Sequence, residues 1–419
     1  MVGTGQPSDN DGLRSGDAAG VKGYRRGTHR TVPPSETLAR MQPFIAQMGI
    51  TRIANVTGLD RIGLPVVMVF RPNSRSVAVS QGKGLDLDAA KASGLMESIE
   101  TYHAEHIHLP LKLGSFADLR ASHRLLDIDR TPRIANSRFR PNFPLLWVEG
   151  MDLISGSPIW LPFELVHANY TLPLPAGSGC FPASTNGLAS GNHFLEAVCH
   201  GLTEVIERDA SAVWSQSGRE NRQDSRIELD SVDDPDCRAV LEKLRQAGLA
   251  IAVWETTTDL GIPSFECMIA DDRTDSHLGV GAGCHPSRPI ALLRALTEAV
   301  QVRTTYITGA RDDLPPEQYT ESGKAEKARR AARAMASNGP GRSFAEGPNR
   351  DSETFEEDLS WMLERLQANG IHQVAVVDLT RPEFGIPVVR VVAPGLEAPH
   401  DDEDYLPGPR ALAARGRGI

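Results

Sequence analysis

Cysteine is scarce in this chain of 419 residues: there are five, Cys180, Cys199, Cys237, Cys267 and Cys284, widely spaced and without a CxxC pair. An odd, scattered set gives neither a disulfide framework nor a thiolate zinc site, so reduced structural thiols are expected. Long apolar runs are also missing. No stretch approaches the roughly 18 to 20 continuous apolar residues that span a bilayer, and the N-terminus, MVGTGQPSDNDGLRSGDAAG, lacks the apolar centre of a signal peptide. A cytoplasmic protein without membrane contact is the expectation. Positive charge is in deficit, with 44 Lys and Arg against 54 Asp and Glu and a net charge of −10, which argues against a nucleic-acid partner. A GxxxxGK[ST] phosphate loop is lacking, as is any Ser/His/Asp or Cys/His arrangement for nucleophilic catalysis. His103, His106 and His108 have mixed spacings that fit a helix end better than a zinc ligand set.

What the chain does have is a globular composition, 40% apolar and 23% charged, and length enough for a large core. Residues 1–23 have no sustained periodicity and predict a flexible N-terminal arm that orders near Tyr24 to Pro34. Ser35 precedes a helical pattern, with Leu38, Met41, Ile45 and Met48 on one face and Gly49 just past its end. Segments 65–70 and 76–80, joined by RPNSR, predict a hairpin. Helices are predicted at about 88–106, 191–215, 234–247, 288–307 and 355–368. Strands are predicted near Trp147 and Val148, Pro158 to Leu161, and at AIAVWETT, SFECMIAD, HQVAVVDL and PVVRVVA. Strand pairs alternating with long helices predict α+β layers rather than a strictly alternating parallel sheet. Segment 321–353 is basic, then rich in Gly, Asn and Pro, and predicts an exposed insertion, a solvated helix and loop that is also a candidate lid or partner surface.

Three segments share one plan, in which a glycine-containing strand end enters a long apolar helix carrying glutamates. They are SVAVSQGKGLDLDAAKASGLMESIETYHAE, FPASTNGLASGNHFLEAVCHGLTEVIERDA and HLGVGAGCHPSRPIALLRALTEAVQVRTTY. In the first, Glu97 and Glu100 are one turn apart and share a helix face. In the second, Glu196, Glu204 and Glu207 fall within about 80° of one another at roughly 100° per residue, and Arg208 follows. The third offers Arg294, Glu298 and Gln301. Carboxylates among small apolar residues repel and lose hydration unless a cation compensates them, and magnesium accepts such oxygen ligands while keeping places for phosphate oxygens. Lys83 in SQGKG supplies a cation for phosphates, Gly82 and Gly84 allow close backbone approach, and Ser184, Asn186 and Asn192 are neutral donors of the same use.

The stretches TRIANVTGLDRIGLPVVMVFRPNSRSVAVSQGKG, AAKASGLMESIE and SGNHFLEAVCHGLTEVIERDA closely resemble the YcaO family, and the likeness spans about residues 24–397, leaving 398–419 as a tail. The resemblance implies a YcaO-type fold, with pseudo-repeated strand and long-helix units layered around a central ATP and Mg2+ site. It implies an enzyme that uses ATP to phosphorylate the oxygen of a peptide or protein backbone amide after a nucleophile has added to its carbon. Carried over position by position, it implies magnesium ligands at Glu97, Glu100, Glu204 and Glu207. Nucleotide contacts are implied at Arg30, Thr37, Ser80, Lys83, Ser184, Asn186, Asn192, Glu196, Arg208, Arg294, Glu298 and Gln301, with Lys83, Glu207 and Arg208 as catalytic positions. Azoline-forming members commonly end in a proline-rich PxPxP segment, whereas here only LPGP appears and ten residues follow Pro409. The ending and VVRVVAPGLE look more like members that work with a TfuA-type partner to install backbone thioamides. With no leader-binding domain in the sequence, delivery of the substrate is expected to need such a partner or a separate leader-binding protein, and a homodimer is an allowed assembly. A cyclodehydratase and a non-catalytic nucleotide-binding accessory protein are the alternatives.

Overall fold

In the computed structural model, residues 20–271, 277–311, 313–336, 341–399 and 405–415 are described, with backbone alone at 219 and 220. The expected arm therefore lies largely outside the described residues. At its end, Lys22 is already tied in by an ion pair to Asp358 at 2.6 Å, with both side chains buried.

The chain opens with α1 (Pro34–Met41), then runs through β1 (Arg52–Asn55), β2 (Val66–Phe70) and β3 (Val79–Lys83) into α2 (Leu87–Glu105). Next come β4 (Leu111–Ser115), α3 (Phe116–Leu119), β5 (Pro144–Asp152), β6 (Ser157–Pro162) and β7 (Leu188–Ser190), which leads into α4 (Phe194–Gln216). After α5 (Arg219–Asp224) and α6 (Pro235–Gln246), strands β8 (Ala250–Glu255), β9 (Ser264–Ala270) and β10 (Gly279–Cys284) lead into α7 (Arg288–Thr308). Helices α8 (Glu321–Met335) and α9 (Phe355–Ala368), strands β11 (Ala375–Asp378) and β12 (Val388–Val392), and α10 (Pro409–Arg415) complete the order.

The strands form two three-stranded antiparallel sheets, β1-β2-β3 and β10-β9-β8, and a larger sheet ordered β4-β5-β11-β12-β7 with β6 on β5. Every pairing is antiparallel, as expected of α+β layering. The last strand of each small sheet, and β7 of the large one, delivers the chain into a long helix, so the threefold plan read from the sequence is a threefold plan in space. Asp86 caps α2 by accepting from the Ala89 N–H, and His193 caps α4 by accepting from the Leu195 N–H.

The glycines of this plan bring strand and helix together. A Cβ on Gly82 would stand 2.0 Å from the Ala90 carbonyl oxygen and 2.1 Å from the Gly94 nitrogen, so β3 and α2 meet backbone to backbone. Gly281 makes the same approach, with its Cβ position 2.3 Å from the Ala299 nitrogen of α7. Gly82 and Gly84 thus serve helix packing first; a Cβ at Gly84 would lie 2.5 Å from the Ala89 Cβ.

Three details depart from the sequence expectation. Helix α1 starts at Pro34 and has no side-chain cap, so Ser35 lies inside it; it ends at Met41, and a 3-10 turn over Gln42–Phe44 follows, because Pro43 has no N–H to donate. The hairpin's second strand begins at Val79, opposite Phe70, since Ser76 is captured by Glu105 through its N–H at 3.0 Å and its hydroxyl at 2.5 Å. Segment 321–353 begins with a largely exposed helix, but beyond the undescribed 337–340 it packs down: Phe344 is buried and its carbonyl accepts from Arg288 Nε at 2.6 Å.

Candidate functional site

The three long helices and the strand ends feeding them enclose a cavity of about 590 Å³. From α2 it receives Glu97 and Glu100; from α4, Glu196, His200, Glu204, Glu207 and Arg208; from α7, Arg294, Glu298 and Gln301. Lys83 enters from β3, Asn192 from just before α4, and Arg30 and Thr37 from the N-terminal segment, which forms part of the wall. The spacing argument therefore holds in space, since the carboxylates of separate helices converge on one volume.

Three expected nucleotide contacts do not line it. Ser80 is buried on the face of β3 opposite Gln81 and Lys83, as strand alternation requires. Ser184 and Asn186 lie before β7, where Arg390 holds the Ser184 carbonyl at 2.7 Å, and it is Thr185 that reaches the cavity.

The carboxylates are joined across units. Glu100 of the first accepts from the N–H and hydroxyl of Ser190, on the strand of the second, at 2.8 and 2.6 Å. Glu207 of the second accepts from the Cys284 N–H, on the strand of the third, at 2.8 Å. Glu298 of the third accepts from Lys83, on the strand of the first, at 3.1 Å. Each helix thus bonds to the strand end of the next unit, and the ring closes around the cavity. Glu97 instead takes the Gln81 N–H of its own unit at 3.3 Å, while Gln81 Oε1 receives Thr305 at 2.5 Å and Gln301 at 3.3 Å. Glu196 is saturated, accepting from the Thr31 N–H and hydroxyl at 2.9 Å each, with Arg30 at 3.7 Å. It fastens the N-terminal segment to the cavity wall.

Burial governs the charge states. It pushes Glu97 up to about 7 and Glu100 up to about 8, the latter against the opposing Ser190 hydrogen bond. Glu207 rises to about 7 through burial and the nearby Glu298, and Glu204 is also raised by burial. Glu298 goes the other way: burial works to raise it, but Lys83 and Arg208 outweigh that and hold it below the ordinary carboxylate value. Arg294 Nε is buried without a hydrogen-bond partner. Carboxylates held near neutrality beside an unsatisfied guanidinium are a site short of a cation on one side and of an anion on the other. A hard divalent ion with phosphate oxygens fits both deficits.

Sequence reasoning missed Gln81, Thr31, Ser190, His200 and the Cys284 amide. A signal was available: Gln81, Ser190 and Cys284 stand on the strand ends that the repeated plan had marked, and His200 lies midway between Glu196 and Glu204 at helical spacing. Burial and the neighbouring Arg294, Arg30 and Lys83 hold His200 far below the ordinary imidazole value, so it is a neutral member of this stripe. The histidines at the end of α2 stay structural, with His103 and His106 each bonded through Nδ1 to a helix carbonyl at 2.8 Å. A separate group, His29, His285 and Asp358, brings ligand-capable atoms within 4.8 Å of one another, but the Lys22 ammonium already fills the cation position there. All five cysteines are buried and unpaired.

Fold and cavity together define an α+β protein that binds a nucleotide through a divalent cation. The chain belongs to the YcaO family: the profile described as "YcaO cyclodehydratase, ATP-ad Mg2+-binding" matches residues 81–397. ATP and Mg2+ are its cofactors, and it is an ATP-dependent enzyme. It is 36% identical over 94% of its length, and 94% of the relative's, to an uncharacterized protein in the tfuA 3' region of Rhizobium leguminosarum bv. trifolii. It is 35% identical to an uncharacterized protein of Methanothermobacter thermautotrophicus, covering 88% of this chain and 95% of that one. Among solved structures it superposes on the YcaO protein of Methanopyrus kandleri bound with AMPPCP and Mg2+ with a TM-score of 0.72 and 24% identity, over 90% of this chain and 94% of that one. It also superposes on a heterocyclase in complex with substrate and cofactor, with a TM-score of 0.74 and 23% identity, over 91% of this chain but only 54% of the heterocyclase. No described helix is long and apolar enough to cross a membrane.

Proposed function

We propose that the chain converts a backbone amide of a peptide or protein into a thioamide, drawing on ATP and an external sulfide donor. The observation that carries the amide-activation reading is the convergence of Glu97, Glu100, Glu204 and Glu207, with pKa values raised by burial, on a cavity whose other walls present Lys83, Arg30, Arg208 and Arg294. In this reading the four glutamates hold Mg2+, and the basic side chains hold the triphosphate. The bound metal and nucleotide supply charge neutralisation and a transferable phosphoryl group.

The chain's residues then hold and position. Lys83 and Arg208 would hold the phosphates of the bound nucleotide and keep its transferable phosphoryl group within the cavity. Arg294, with its orphan Nε, neutralises charge on the transferring group. Glu196 holds the 30–31 segment, and with it Arg30, against the cavity wall. A sulfide adds to the amide carbon, the resulting oxyanion takes the γ-phosphoryl group, and the carbon–oxygen bond breaks as phosphate leaves. Amide, hydrogen sulfide and ATP thereby give thioamide, ADP and phosphate, with atoms in balance. No protein nucleophile is required.

Two observations favour sulfide over an internal side-chain nucleophile. The Rhizobium relative lies beside tfuA, which supports a TfuA-like partner here. The described part of the tail, α10, rests on the side of α4 that bears Asp209, with Arg410 bonded to Asp209 at 2.9 Å, and none of its residues lines the cavity. Azoline formation is the second reading, favoured by the family description and the fold shared with a heterocyclase. Intact-mass analysis of a candidate peptide, co-expressed with the chain and a TfuA-like partner, tests the choice. The expected result is a gain of one oxygen-to-sulfur exchange together with ADP and phosphate; loss of water from the peptide would sink the thioamide reading.

A further inference from the structure

Beyond Gln301 the cavity wall reaches Tyr306, and around that ring packs a cluster that the nucleotide reading leaves unused. Tyr306 lines the cavity eight residues further along α7 than Glu298, about 12 Å at 1.5 Å per residue. The His277 ring stacks on it, with centroids 5.8 Å apart and planes 7° apart, and Tyr319 meets the two rings at 6.1 and 6.2 Å. From α8, the Lys327 ammonium stands 3.9 Å from the Tyr306 ring centroid. Gln318 Oε1 ties the pair together, accepting from Lys327 at 2.9 Å and from the Tyr306 hydroxyl at 2.7 Å.

Lys327 forms no ion pair among the described residues, although partial burial holds its pKa below the ordinary lysine value. A half-buried ammonium on an aromatic face is a cation left without its anion. Its surroundings repeat the sign. Helix α8 carries five basic residues (Lys324, Lys327, Arg329, Arg330, Arg333) against two acidic ones (Glu321, Glu326), in a chain whose net charge is −10. The cations assigned to the triphosphate come from β3, α4, the first half of α7 and the N-terminal segment, so Lys327 is surplus to that task.

We propose that Tyr306, His277 and Lys327 form a subsite for an acidic side chain of the peptide substrate, near the amide to be modified. The carboxylate would pair with Lys327 and the methylene stem would lie on the aromatic rings. This rests on the reading of the substrate as a peptide, and it adds a specificity rule: an Asp or Glu within a few residues of the modified amide.

The test uses the full chain and two short labelled peptides, one alternating Gly and Glu, the other alternating Gly and Gln. Their binding is followed by fluorescence anisotropy to wild type, K327Q and K327R, with Mg·ATP affinity measured separately on the same samples. Wild type should prefer the Glu peptide by at least about fivefold; K327Q should lose the preference and K327R keep most of it. The subsite is overturned if wild type binds the two peptides alike or binds neither, or if K327Q retains the preference. It is equally overturned if K327Q weakens Mg·ATP binding, which would assign the lysine to the nucleotide. A wild type that prefers the Glu peptide yet fails to bind Mg·ATP would sink the nucleotide reading and leave the subsite standing.

Discussion

Glu207 accepts the backbone N–H of Cys284 at 2.8 Å, joining a helix of one repeat to the strand of the next. The bond uses one carboxylate oxygen and leaves the group in the cavity with Glu298 and Arg208 close enough to shift its charge state. Structural attachment and the proposed ligand role are thus combined in one side chain, as they are in Glu100.

Glu100→Gln should separate the two. The amide can still accept from Ser190, so the melting temperature should hold or rise, because a buried carboxylate near others has been removed. ATP turnover should fall by roughly a hundredfold or more if Glu100 is a metal ligand. Measuring both on one preparation decides it, and near-normal turnover would remove Glu100 from the metal site.

The metal-free chain should lose stability as pH rises. Glu97, Glu100 and Glu207 have folded values of about 7, 8 and 7, against an ordinary 4.5 in the unfolded chain. Their contribution is intact below the unfolded value and is lost as pH climbs through the folded ones. Melting curves in chelator should therefore drop between about pH 5 and pH 8, and saturating Mg2+ should restore more stability at the upper end than at the lower. A flat or rising metal-free profile would contradict the protonation of these groups.

Arg410→Ala should uncover a buried charge. Asp209 is fully buried, and Arg410 Nε and Nη2 both donate to it at 2.9 Å. Losing that partner should cost about 2 to 3 kcal/mol, read as a lower urea midpoint at unchanged slope.

The helices and the carboxylates that face the cavity were legible in the sequence because both follow from period. Helix ends at α2, α4, α7 and α9 fall within a few residues of the predicted ones, and Glu97, Glu100, Glu204 and Glu207 converge as their spacing implies. Parity on a strand was not legible without its register: Ser80 and Gln81 are equally plausible ligands until pairing with β2 decides which faces inward. Ser184 and Asn186 sit in irregular chain, where no period exists to read. The closing bonds between Glu100 and Ser190, or Glu207 and Cys284, span 90 and 77 residues, and only the packed fold reveals them.

Gly82→Ala should be among the most damaging single changes outside the cavity. Its added carbon would stand 2.0 Å from the Ala90 carbonyl, and backbone on both sides cannot step aside. Soluble yield or melting temperature should collapse, whereas Ala at the open turn position Gly58, with nothing within 4 Å, should have little effect.

The closed ring of bonds also bears on how intermediates and fragments behave. Glu100, Glu207 and Glu298 each take their orienting partner from another repeat, so a chain with two repeats docked and the third loose has an open gap where the pocket should be. Nucleotide binding therefore reports completion of the fold as well as integrity of the site, and a sample's binding-competent fraction can serve as a direct assay of how much of it has finished folding.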